Sequence, residues 1–176
     1  RDGARRAADE SAKRWLAGKP LSPIDGMPVA IKDIIETADM PTGQGSPMWE
    51  GADWKRDSAS VHALREAGAI IIGKAATVEY AFGGWGSNET LGAPVNPWDQ
   101  KQHRVPGGSS NGSGVSVASG LVPGALGTDT GGSIRLPSSF SGLVGLKTTI
   151  GLIPTTGVLP LSELLDTIGP MTRTVR

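Results

Sequence analysis

The feature that most constrains this chain is a block of small residues with hydrophobic side chains threaded through it. Residues 107–145 hold 11 Gly and 9 Ser in 39 positions. A flexible linker can be rich in Gly and Ser. This block also carries Val115, Val117, Val122, Leu126, Ile134, Phe140 and Leu143. Apolar side chains spaced between glycines imply packed backbone with tight turns, so the block reads as folded core.

The flanking sequence alternates helix and strand signals. Residues 3–18 place Ala4, Ala7, Ala8, Ser11, Ala12, Trp15 and Leu16 at helical spacing, with Gly18 and Pro20 as stops. Met27 to Ile31 predicts a short strand in which Pro28 can take only the first position. Residues 58–67 predict a helix with Val61, Leu64 and Ala67 on one face and Gly68 as its C-cap. Ala69-Ile70-Ile71-Ile72 predicts a buried strand without polar alternation. Further elements are expected at Ser113–Ser119 (helix), Val122–Leu126 (strand), Ser133–Phe140 (helical turn) and Leu143–Leu146 (strand). This order is the signature of an α/β fold. Residues 83–106 form a long polar loop of the kind that often builds a site. Nothing repeats internally. The chain starts at Arg1 and stops mid-pattern at Arg173-Thr174-Val175-Arg176, which reads as a fragment.

Composition removes several function classes. The chain has no Cys, which excludes disulfide scaffolds, thiolate metal sites and a Cys nucleophile. Its two His, His62 and His103, do not suffice for a histidine-rich metal centre, and no metal is expected. The 17 basic residues balance 17 acidic ones, which argues against non-specific binding to nucleic acid or anionic membranes. No apolar run is long enough to span a bilayer, and the N-terminus lacks a signal-peptide core. A cytoplasmic location is the expectation.

The short motifs are weak. Gly68 to Ala75 matches GxxxxGK, but Ala follows Lys74 where a phosphate loop needs Ser or Thr, so a helix cap, a strand and a surface lysine are the reading. Gly84-Trp85-Gly86 lacks the third glycine of a dinucleotide fingerprint. His62 and Glu66 read as a solvated pair. Gly112-Ser113-Gly114 is too short for a hydrolase elbow.

With Cys absent and His scarce, nucleophilic chemistry must come from Ser, Thr or Lys. Lys32 follows Pro28-Val29-Ala30-Ile31 and precedes Asp33-Ile34-Ile35, so its surroundings head for the interior. Burial would push a lysine toward the neutral form, in which it can act as a base. Taken alone, this stretch favours a strand-end lysine paired with Asp33. Further on, Gly107-Gly108-Ser109-Ser110-Asn111-Gly112-Ser113-Gly114 precedes Gly127-Thr128-Asp129-Thr130-Gly131-Gly132-Ser133-Ile134-Arg135. Glycines before a serine let backbone N–H groups converge on one point, the arrangement of an oxyanion hole beside a nucleophilic hydroxyl. Two such loops and an interior lysine are hard to reconcile with simple turns.

On these residues the chain resembles the amidase signature family. The match runs through Gly26–Asp33, Gly73-Lys74, Pro106–Gly114, Gly127–Arg135 and Gly142–Lys147, and extends to Leu165–Pro170. The resemblance implies an α/β fold with a mixed, twisted sheet covered by helices on both faces. Residues 1–176 would be the N-terminal portion of one catalytic domain, its C-terminal half absent, with 107–147 as the Gly/Ser-rich core. It implies a Ser–cis-Ser–Lys triad of Lys32 as base, Ser109 as the cis-peptide serine and Ser133 as nucleophile. The oxyanion hole would be the amides of Thr130, Gly131, Gly132 and Ser133. Ser110 and Thr128 would orient the triad, and Asp129 and Arg135 would support the loop. Asn111 departs from the commoner Gly and is expected to be tolerated in a left-handed conformation. No cofactor is implied.

The activity implied is hydrolysis of a small carboxamide or ureido substrate, with a small-molecule amide as partner and a homodimer compatible. Two other readings stand beside it. One is the glutaminase subunit of a tRNA-dependent amidotransferase, the only case in which nucleic acid would be a partner. The other is a truncated, non-catalytic chain. The loop from Phe82 to Arg104, with Trp85, Asn88, Trp98 and His103, is either a pocket entrance or ordinary surface. Trp49 and Trp54 read as packing residues.

Overall fold

The computed structural model describes residues 2–49, 55–99 and 101–175. Its elements run α1 (Asp2–Leu16), β1 (Pro28–Lys32), α2 (Ala59–Glu66), β2 (Ile70–Ala75), α3 (Asn111–Ala118), β3 (Gly124–Asp129), α4 (Arg135–Ser141), β4 (Val144–Gly145) and β5 (Thr167–Thr172). The five strands form one mixed sheet in the order β2-β1-β3-β5-β4. β1 lies parallel to both β2 and β3, while β5 runs antiparallel to β3 and β4.

Alternation along β1 sorts the two faces of this sheet. Val29 and Ile31 join a core cluster with Val61 of α2 and Ile168 of β5. Ala30 enters a second cluster with Val117 of α3, Val122 and Ala125. Helices therefore pack on both faces, and α3 meets the sheet through residues small enough for close approach. Ser58 caps α2, accepting the Val61 N–H at 3.2 Å, and Gly68 takes φ +87° just past its end.

Two elements differ from expectation. β2 continues to Ala75, and Ile72 is half-exposed where the continuous apolar run predicts burial. The register jumps from Val29↔Ile71 to Ala30↔Gly73, so Ile72 is the extra residue of a bulge on an edge strand. β5 is a strand that no sequence signal announces, because Gly169 and Pro170 interrupt it. Gly169 is required there: a side chain would collide with the Leu146 carbonyl.

The parallel strands β1, β2 and β3 end together. Lys32, Ala75 and Thr128-Asp129 thus meet at one carboxyl edge, where α/β sheets usually place their sites.

Candidate active site

Lys32 is fully buried at the carboxyl end of β1. Its Nζ donates to Ser109 Oγ at 2.7 Å and to Thr128 Oγ1 at 2.8 Å. Among the described residues no carboxylate forms an ion pair with it. Asp33, the alternative partner next in sequence, instead faces Lys74 at 3.2 Å. Lys74 is itself mostly buried and also donates to Thr42 Oγ1 at 2.7 Å, so it is not the surface lysine that its motif suggested. Desolvation pushes the Lys32 ammonium down to about 7, with the charges of Asp129 and Asp166 working in the opposite direction. A lysine in this setting holds a substantial neutral fraction near neutrality.

Ser109 sits in a closely packed loop behind this lysine. The Gly108–Ser109 peptide bond is cis. The Ser109 carbonyl accepts from the Thr77 hydroxyl at 3.1 Å and from the Val78 N–H at 3.2 Å. Gly108 has no room for a side chain, since a β-carbon would come within 2.7 Å of the Gly83 carbonyl oxygen. Ser110 is also fully buried. Its hydroxyl donates to the Thr128 carbonyl at 3.2 Å and accepts the Thr128 N–H at 3.3 Å, tying this loop to the end of β3. Asn111 does not take the left-handed conformation expected of it. It opens α3, donates to the Gly86 carbonyl at 2.7 Å and accepts the Gly112 N–H at 2.8 Å.

The loop carrying Ser133 is organised by Asp129, whose side chain is fully buried. Its carboxylate accepts N–H groups from Gly132 (2.9 Å), Ile134 (3.1 Å) and Arg135 (3.2 Å). The Arg135 guanidinium adds two bonds at 3.0 and 2.9 Å. Burial alone would raise the Asp129 carboxyl, but the Arg135 guanidinium and the loop amides outweigh it and hold the group below the usual carboxylate range. Gly132 takes φ +137°, a backbone conformation that a side chain would strain.

Of the four expected oxyanion-hole amides, the Gly132 N–H is engaged by Asp129. Among the described residues the N–H groups of Thr130, Gly131 and Ser133 make no hydrogen bond, and neither does the half-buried Ser133 hydroxyl. The two loops meet where Ser110 N–H donates to the Ser133 carbonyl at 3.3 Å. Lys32, Ser109 and Thr128 are thus directly bonded, whereas no hydrogen bond joins the hydroxyls of Ser133 and Ser109.

The 83–106 loop divides. Asn88 is buried and structural, donating to the Gly45 carbonyl at 2.7 Å. Trp98 donates to the Ser141 carbonyl at 2.7 Å and lies over Gly142. His103 faces solvent. Trp85 is exposed and stands with its ring centroid 6.4 Å from that of Phe140. His62 and Glu66 form the exposed pair expected of them, at 3.4 Å. Trp49 is half-buried, and Trp54 lies outside the described residues. Two residues near the site were not among the expected site residues, although Asp166 falls within the matched stretch Leu165–Pro170. Thr77 holds the Ser109 carbonyl, and Asp166 accepts the Thr130 hydroxyl at 2.5 Å. Among the described residues no group of His, Asp and Glu is placed to hold a metal ion, and no helix is long and apolar enough to cross a membrane.

Comparison with known proteins places this chain among relatives. A family model described as Amidase matches residues 1–176. The chain is 47% identical over 176 residues to a 2-amino-5-chloromuconic acid deaminase of Comamonas testosteroni, covering 99% of this chain and 38% of that protein. It is 52% identical over 170 residues to one subunit of the glutamyl-tRNA(Gln) amidotransferase of Maridesulfovibrio salexigens, covering 96% and 34%. Among solved structures, native peptide amidase from Stenotrophomonas maltophilia matches with a TM-score of 0.90 at 38% identity, over 98% of this chain and 36% of that one. The chain spans little more than a third of the length of these relatives.

Proposed function

The chain belongs to the amidase family, and on that premise we propose that the protein hydrolyses a small carboxamide or ureido substrate through an acyl-enzyme on Ser133. The observation that carries this reading is the fully buried Lys32 Nζ held 2.7 Å from Ser109 Oγ with no carboxylate partner among the described residues. A buried, unpaired lysine is costly as an ammonium, so a neutral amine facing a serine is a ready base.

In this mechanism the lone pair of neutral Lys32 takes the Ser109 hydroxyl proton as Ser109 takes that of Ser133. Ser133 Oγ attacks the amide carbonyl carbon. The free N–H groups of Thr130, Gly131 and Ser133 receive the developing oxyanion; one such donor is worth about 2.7–4 kcal/mol in comparable sites. The C–N bond breaks as Ser109 returns a proton to the leaving nitrogen and recovers one from Lys32. Water then attacks the Ser133 ester by the same relay and releases the acid. The Ser133 hydroxyl has no hydrogen-bond partner among the described residues, so it is free to turn toward Ser109 when substrate binds.

The test is Ser133→Ala in the intact protein, with ammonia release from a panel of small amides as readout. Activity is expected to fall by about 10⁴-fold or more, with no loss of thermal stability. Retained turnover would remove Ser133 as nucleophile.

A second reading has its own support in the 52% identity to a component of a glutamyl-tRNA(Gln) amidotransferase. In that case the same site would act as a glutaminase in an assembly. Ammonia released from small amides by the isolated protein favours the first reading. Glutamine hydrolysis that requires both tRNA and a second protein favours the second.

A further inference from the structure

The N–H groups of Thr130, Gly131 and Ser133 need something to hold them in place, and the Asp129 carboxylate accepts none of them. That carboxylate takes the N–H groups of Gly132, Ile134 and Arg135, on the helix side of the loop. The strand side of the loop, at Thr130, is held from elsewhere. Thr130 Oγ1 donates to Asp166 Oδ1 at 2.5 Å, while Asp166 Oδ2 accepts the N–H groups of Leu161 and Ser162 at 2.8 and 3.1 Å. Sheet register puts Asp166 there. β3 and β5 pair antiparallel with Asp129 opposite Thr167, so the next step brings Thr130 to Asp166. Thr167 reinforces the junction by donating from Oγ1 to the Asp129 carbonyl at 2.8 Å. Asp166 is almost completely buried and, among the described residues, has no cationic partner. Its acceptor capacity goes to Thr130 and to the turn at 161–162.

The geometry points to Asp166 as a positioning residue for hydrolysis: through the Thr130 hydroxyl it fixes the Thr130 and Gly131 N–H groups on the oxyanion. The inference rests on Ser133 being the nucleophile. It adds that the oxyanion hole is clamped from two sides, by Asp129 from within the loop and by Asp166 from the neighbouring strand. Donors aimed in advance at the transition state act on kcat more than on substrate binding. Asp166 also faces Lys32 electrostatically, its charge favouring the protonated amine.

The experiment compares Thr130→Val, Thr130→Ser and Asp166→Asn in the intact protein. Thr130→Val removes the hydroxyl that Asp166 holds but leaves the backbone N–H. It is expected to lower kcat about tenfold or more, short of the roughly 10²–10³-fold cost of deleting a donor outright, with KM little changed. Inhibition by a substrate-like aldehyde, which forms a tetrahedral adduct, should weaken by the same factor, while inhibition by the product acid stays constant. Thr130→Ser, which keeps the hydroxyl, should recover most of the loss. Asp166→Asn should show the same kcat loss and move the acid limb of the pH profile to lower pH, because a negative charge near Lys32 is gone. Wild-type kcat in Thr130→Val, or equal weakening of aldehyde and product acid, overturns the inference. Ser133→Ala separates the two failures. If it abolishes turnover while Thr130→Val is silent, only the role of Asp166 falls. If Ser133→Ala is active, the underlying reading falls as well.

Discussion

The two glycine loops are written in similar letters, Gly107-Gly108-Ser109-Ser110 and Thr130-Gly131-Gly132-Ser133, but they use their polar groups differently. In the first, the N–H groups of Gly107 and Gly108 donate to the Trp85 and Gly84 carbonyls, and the Ser109 hydroxyl meets Lys32. Side chain and backbone are sealed inside the fold. In the second, the Ser133 hydroxyl and three N–H groups have no hydrogen-bond partner among the described residues. A buried polar group must be satisfied by the protein, and a binding group must not be. In the proposed mechanism the first loop holds a proton relay away from water and the second meets the substrate.

That contrast can be broken most sharply at Lys32. Lys32→Met keeps the bulk of the side chain and removes the proposed base. Hydrolysis should fall by about 10²–10⁴-fold, and the acid limb of the wild-type pH–kcat/KM profile, expected near about 7 with activity lost on acidification, should vanish. Stability gives an independent readout. An unfolded lysine keeps its proton to about 10.4, whereas folded Lys32 releases it at about 7. Between these values the unfolded chain binds the extra proton, so stability rises with pH across that window and falls as pH drops toward 7. Denaturant titrations of Lys32→Met should show that slope flattened.

The next largest effect is expected at Asp129, which shapes the open loop. Asp129→Asn presents an NH₂ group to amides that now have an oxygen, and should cost about 1–3 kcal/mol in chemical denaturation together with most of the activity. The glycines then separate the loops directly. Gly108→Ala forces a methyl against the Gly83 carbonyl and should destabilise by about 1–3 kcal/mol. Gly131→Ala has nothing within 4 Å of its added carbon and should change stability by less than about 0.5 kcal/mol. Equal effects at the two glycines would erase the distinction between a sealed and an open loop.

Much of this was legible in the sequence. β1, α2, α3 and α4 follow from periodicity and stop signals because their cores are local and regular. The apolar neighbours of Lys32 pointed to the interior but did not by themselves separate a buried amine from a pair with Asp33, and the serine loops stood out by their glycines. What stayed hidden depends on long-range pairing. β5 carries Gly169 and Pro170, which suppress a strand signal, yet its register delivers Asp166 to Thr130. Ile72 looked buried because a bulge cannot be read from composition. Which loop amides remain free depends on where the Asp129 carboxylate turns, so Gly132 could not be told from Gly131 by sequence. Trp98 and Asn88 sat in a loop read as either pocket or surface, and both turned out to anchor that loop to neighbouring backbone.

The central claim is that the open loop supplies the nucleophile and the sealed loop only relays the proton. Mass-spectrometric mapping of a trapped acyl adduct tests it most directly, with the intact protein quenched in acid during turnover of an activated ester. The account predicts an acyl group on Ser133, and none there when Lys32→Met is treated for the same time. An adduct on Ser109, or hydrolysis with no serine adduct at Ser133, would contradict it.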